Sequence, residues 1–166
     1  MSTIASTFSN SRNSLLRLSV IGGLITGTLH LLVQVGLVYG LILKSPFISS
    51  LQYLASGAMG NAAFTGGLAT ALLAVILEFI ITVIIAGIFV LSADRIPLLR
   101  RYLIPGSLLY GFGVFIVMNF IVVPLSAAPA LPAPPMWLFI ETILEHMLLA
   151  GLPLGLLVRW NANTNS

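Results

Sequence analysis

The chain has 166 residues, of which 58% are hydrophobic and only 7% charged, and its mean hydropathy is +1.11. A soluble domain carries about a quarter charged residues, so this chain cannot cover its surface in water and must use lipid as solvent. The formal charge of +3 comes from Arg12, Arg17, Lys44, Arg95, Arg100, Arg101 and Arg159 at the edges of apolar runs, an orientation signal rather than a nucleic-acid surface; the absence of cysteine removes disulfides, thiolate metal sites and thiol nucleophiles.

Residues 1–14, rich in Ser, Thr and Asn, read as a disordered polar head. The first apolar run, 15–43, is too long for a signal-peptide core and reads as a retained helix. Further runs cover 68–93, 103–123 and 136–158, and 161–166 forms a polar tail. Each run exceeds the roughly 20 residues that cross about 30 Å of hydrocarbon, and none shows the strict alternation of a barrel strand. The expected fold class is all-α: a polytopic membrane protein whose single domain, 15–160, has four transmembrane helices in an up-down bundle. Positive residues fall in the head, the 94–102 connection and the tail, while the other two connections hold only Lys44. This alternation supports four crossings and puts both termini in the cytoplasm.

The 45–67 connection carries Phe47, Leu51, Leu54 and Ala55 at helical spacing after Pro46, which predicts a short interfacial or re-entrant helix over 46–56. The 124–135 connection, PLSAAPALPAPP, cannot be helical throughout and should run extended. Small-residue pairs Gly23 and Gly27, Gly36 and Gly40, Gly67 and Ala71, and Gly151 and Gly155 suit close helix packing. Pro153 should kink the fourth helix.

Within these apolar runs lie His30, Gln34, Glu78, Asn119, Glu141, Glu145 and His146. Ionisable groups at membrane depth are costly and rare, so each is a functional-site candidate. His30 and Glu78 sit near the middles of consecutive antiparallel helices and form the expected donor–acceptor pair. His30 and Gln34 share a face at i, i+4, as do Glu141 and Glu145, and Thr142 and His146. Glu145 and His146 are adjacent, about 100° apart on an α-helix, and are therefore expected to diverge. Gln34 and Asn119 read as interhelical hydrogen-bond glue. Neither the Glu-x-x-His of di-metal carboxylate bundles nor an HExxH is present, so no metal site, cofactor or catalytic residue is assigned.

The segments YLASGAMGNAAFTGGLATALL, YGFGVFIVMNFIVVPLSAAP and HMLLAGLPLGLLVRW resemble a family of small bacterial four-helix integral membrane proteins of uncharacterised function. The resemblance covers about residues 20–160 and is carried by Ser56–Gly60, by Met118-Asn119 with Pro124-Leu125-Ser126, and by Gly151-Leu152-Pro153. In that family an acidic residue often stands at the position of His30 and a histidine at that of Glu78. The resemblance thus implies that this chain carries the pair exchanged. It implies architecture and a bacterial inner-membrane location, and lends no activity.

The expected function is that of a multi-pass integral membrane protein, more readily non-enzymatic than enzymatic. Its intramembrane polar cluster is either a structural clasp or a support for proton or small-solute movement. Two alternatives stand beside it: a membrane-embedded enzyme or cofactor binder using Glu and His, and an accessory subunit of a membrane complex. The expected partner is the lipid bilayer, with a second copy or another membrane protein left open and no nucleic acid.

Overall fold

In apolar surroundings a backbone N–H that does not bond within its own helix has no other partner. The runs rich in Ile, Leu and Val are helical, as that rule expects of chains in lipid, despite the strand preference of β-branched residues. The computed structural model describes residues 2–164, with side chains described from residue 13. Arg12 and the last two residues of the polar tail lie outside the described side chains. Among the described residues there is no strand.

The first long helix is α1 (Ser2–His30), which continues as a π-helix over Leu31–Ile42. Its backbone is helical from Ser2, where composition suggested a disordered head. The hydrogen-bonded ladder simply propagates outward from the apolar run, which costs less than starting a new helix. A connecting helix α2 (Phe47–Met59) and a 3₁₀ segment Gly60–Thr65 lead into α3 (Gly67–Arg95). A five-residue helix α4 (Pro97–Arg101), with Pro97 in its first turn, precedes α5 (Leu103–Val117). The third span then passes through a π stretch, Met118–Val122, into a last turn α6 (Val123–Leu125). The fourth span consists of α7 (Met136–Glu145), a π stretch His146–Gly151, and α8 (Leu152–Thr164). Four helices, Asn13–Ile42, Gly67–Arg95, Leu103–Leu125 and Met136–Thr164, are long and apolar enough to cross a membrane.

Burial is inverted relative to a water-soluble bundle. On α3 the large residues Leu68, Leu72, Ile76, Ile80, Ile84 and Ile88 are each half exposed or more. The buried face holds Ala71, Ala74, Glu78, Thr82, Ala86, Phe89 and Ala93. Small and polar groups face the bundle, the arrangement expected of helices that pack where lipid gives no hydrophobic drive.

The first span packs along the second, the third along the fourth, and α1 joins the two hairpins through α8 and the His146–Gly151 stretch. Two of the four small-residue pairs make these contacts. A Cβ on Gly23 would collide with the Val83 backbone, and one on Gly27 would press on Thr82 and Phe79. Gly151 and Gly155 lie against Ser107 and Leu103 of α5, and Gly111 returns the contact against His146 and Met147. The other two pairs do not pack in this way. Cβ atoms on Gly36 and Gly40 would meet only carbonyls of their own helix, and Gly67, with φ +56°, serves the entry turn of α3.

The connecting helix α2 is longer than the 46–56 expected. It buries Leu51, Gln52, Ala55 and Ser56 against Val35, Ala63, Ala71 and Ala74. Gln52 Nε2 donates to Gly67 O at 3.1 Å, and Thr70 Oγ1 to Ala63 O at 2.7 Å, fixing its turn. The 126–135 stretch is non-helical, as its prolines require. Ala127 N donates to Gly57 O at 3.0 Å and pins it to α2.

Pro124 and Pro153 each follow a π stretch by two residues. Proline removes one backbone donor and crowds the carbonyl four residues earlier. A widened turn before it relieves that crowding. At Pro153 the π stretch stands where a kink was expected.

Candidate functional site

His30 closes the regular part of α1, just before the π-helix begins. It lies about 12 residues from Ile42, and Glu78 lies about 11 from Gly67, at the same end of the bundle. At ~1.5 Å per residue the two reach a matched depth. His30 Nδ1 is 2.8 Å from Glu78 Oε1, joining the first and second spans as expected. Glu78 itself is buried.

The other ring nitrogen extends the contact. His30 Nε2 lies 3.8 Å from Glu145 Oε1 of the fourth span. Glu145 Oε2 lies in turn 2.8 Å from His146 Nδ1. The His30 and His146 rings meet edge to face, with centroids 6.5 Å apart. Glu78, His30, Glu145 and His146 thus cluster across three spans, with the His30–Glu78 hydrogen bond and with Glu145 placed between the two imidazoles at 3.8 and 2.8 Å. The Glu145 carboxylate is only 4% exposed, so the cluster centres on a group almost fully shielded from surrounding solvent.

This corrects the expectation that Glu145 and His146 diverge. Both residues keep α-helical backbone angles, φ −56° and ψ −52° at Glu145 and φ −62° and ψ −39° at His146, so the step of about 100° between them stands and it is the side-chain ends that come together, at 2.8 Å. The first and fourth spans both change helical form beside their ionisable residues.

Proton accounting constrains the cluster. A neutral imidazole carries one N–H. If His30 Nδ1 donates to Glu78, its Nε2 presents a lone pair towards Glu145 Oε1, and two acceptors face each other. A single proton between them, on the imidazole or on the carboxyl, removes the conflict. His146 Nδ1 meets a second constraint, because it is 2.8 Å from both Thr142 O and Glu145 Oε2. The carbonyl can only accept, and its bond leaves Glu145 Oε2 buried without a hydrogen-bond partner. Gln34 Oε1 and Glu141 Oε2 are buried and unpartnered in the same way. The cluster therefore holds more buried acceptors than donors to meet them.

The remaining expected residues divide. Gln34 is buried on the π-helical part of the first span and lies beside Glu141 and Tyr39, forming a branch next to the cluster. Asn119 does not join. Its Nδ2 donates to Phe115 O at 3.0 Å, within its own helix, so it makes no interhelical glue there. The third span contributes Phe115 instead, buried and edge-on to His146 at 5.8 Å and to Phe139 at 5.5 Å. Phe115 was not marked by its sequence context, since one phenylalanine among many carries no distinguishing pattern. Tyr110 was also unmarked: its hydroxyl donates to Ile85 O at 2.7 Å and links the third span to the second.

Among the described residues no three His, Asp or Glu side chains are arranged to hold a metal ion. His30 turns both nitrogens towards carboxylates, at 2.8 Å to Glu78 and 3.8 Å to Glu145.

Fold and site together define an all-helical protein with four helices of membrane-spanning length and apolarity, and a linked set of ionisable groups enclosed among them. Comparison with protein-family models, with characterised proteins and with solved structures yields no match to this chain.

Proposed function

We propose that this is a multi-pass membrane protein whose Glu78–His30–Glu145–His146 chain accepts and passes protons at mid-membrane depth. That transfer serves movement of protons or of a small solute coupled to them. The observation carrying this reading is that one imidazole, His30, faces two carboxylates with its two nitrogens, hydrogen-bonded to Glu78 at 2.8 Å and 3.8 Å from Glu145. A clasp needs only the Glu78 contact. A relay needs a second partner on the far nitrogen, because a proton taken up on one side must leave on the other. Chains of acidic and histidine residues within membranes are a recurring form of proton path.

The distribution of Arg12, Arg17, Arg95, Arg100, Arg101 and Arg159 against Lys44 favours both termini in the cytoplasm. The family resemblance adds a bacterial inner membrane. It also adds the exchange of acidic and imidazole partners at positions 30 and 78, which suits two residues in direct contact.

His30→Gln tests the relay against the clasp. The Gln amide can still donate to Glu78, but it cannot take a proton on one atom and release one from another. Reconstituted protein carrying His30→Gln is expected to insert and remain folded while losing pH-gradient-driven flux measured with an entrapped pH dye. Flux equal to wild type would remove the relay and leave the clasp.

A further inference from the structure

At the opposite end of the bundle from the π-helical part of the first span, the structure holds a cavity of about 510 Å³. It lies between the 100–105 segment and the end of α8, and its lining includes Arg100, Arg101, Tyr102 and Arg159. A smaller cavity of about 320 Å³ adjoins it through Arg100 and Arg101 and adds Asp94. We propose that this basic cavity binds the phosphate headgroup of an anionic glycerophospholipid.

Charge gives the first argument. Three guanidinium groups converge with one carboxylate, Asp94, among the lining residues of both cavities. Arg100 is anchored: its Nη2 donates to Asp94 Oδ1 at 3.1 Å and to Asp94 O at 3.2 Å, and its Nε to Ala93 O at 3.4 Å. Arg101 is placed over the Tyr102 ring, 5.4 Å from its centroid. The local excess is therefore positive, carried mainly by Arg101 and Arg159, and guanidinium suits phosphate oxygens in paired geometry.

Position gives the second, and it selects a lipid over a free anion. The cavity opens where α3 ends at Arg95, α5 begins at Leu103 and α8 nears its end at Thr164. Leu98, Leu109 and Leu156 are each half exposed or more, as are Tyr102 and Trp160. Leu156 is one turn from Arg159 and Leu109 one turn from the lining residue Pro105. A headgroup in the cavity thus has apolar surface beside it for acyl chains and an aromatic pair at headgroup level. Basic pockets between membrane helices hold anionic headgroups in this way. The site is independent of the proton chain, so the two readings fail separately.

The test is lipid retention by the full-length protein, extracted from vesicles of phosphatidylcholine containing phosphatidylglycerol and weighed intact by mass spectrometry. Wild type is expected to retain phosphatidylglycerol over phosphatidylcholine. The double variant Arg101→Gln/Arg159→Gln should bind it about 25-fold more weakly, at about fivefold per arginine removed. Should the double variant fail to fold by circular dichroism, the single variants decide, each with its own fivefold loss. Unchanged selectivity in the folded variants overturns the proposal. Retention of inorganic phosphate by wild type in place of phosphatidylglycerol, when both are offered, also overturns it and assigns the cavity to a free anion.

Discussion

Removing the acceptor opposite His30 isolates the best-defined link in the bundle. The His30 Nδ1–Glu78 Oε1 distance is 2.8 Å, with Glu78 buried and His30 partly so. Hydrogen bonds to charged groups contribute about 1.5–3 kcal/mol in soluble proteins. Interhelical bonds in membranes average about 0.6 kcal/mol and reach about 1.7. A short bond to a buried carboxylate belongs near the upper membrane value, which gives a coupling of about 1.5 kcal/mol. Glu78→Ala should cost about 2–3 kcal/mol, because it also leaves a buried imidazole N–H without an acceptor. Glu78→Gln keeps an acceptor oxygen and should cost about 0.5–1 kcal/mol. A double-mutant cycle with His30→Ala, read by reversible unfolding in mixed micelles, measures the coupling directly. A coupling below about 0.3 kcal/mol would refute the reasoning, because it would make the two residues energetically independent despite their contact.

Other substitutions test the packing and the helical distortions. Gly23→Ala and Gly151→Ala place a methyl against Val83 and Ser107 backbone atoms and should each cost about 1–3 kcal/mol in the same unfolding assay. Gly113→Ala meets nothing within 4 Å and should be neutral or stabilising by up to about 1 kcal/mol. Gly60 has φ +60° and a close Ala127 carbonyl, so Gly60→Ala should cost at least about 1 kcal/mol and loosen the 126–135 connection, seen as faster amide exchange there. Pro153→Ala restores a backbone donor after the His146–Gly151 stretch. The segment should then relax towards α-helix, read as slower amide exchange over residues 146–151.

The architecture was largely legible because hydrophobic length is a strong signal. The spans expected at 68–93 and 103–123 differ by only a residue or two at each end from Gly67–Arg95 and Leu103–Leu125. The His30–Glu78 contact was legible from matched depth on consecutive helices. The convergence of Glu145 and His146 was not, since it depends on side-chain rotamers that a 100° step between backbone positions does not specify. The π stretches had a signal in the sequence: Pro124 and Pro153 each stand two residues beyond one. Asn119 misled because side-chain type alone does not say whether an amide bonds across helices or back to its own carbonyl at i−4. The arginine cavity was divided in sequence between 100–105 and 159–163, and only the fold brings its two halves together.

Glu145 sits between the two imidazoles, so proton flux in Glu145→Gln reports most directly on whether these residues carry protons. The substitution preserves size and hydrogen-bonding capacity but cannot exchange a proton with His30 or His146. In liposomes with a potassium-diffusion potential and matched insertion, the account predicts wild-type acidification above the empty-liposome background and none above it for Glu145→Gln. Flux in Glu145→Gln equal to wild type would contradict the account and leave these residues holding the spans together.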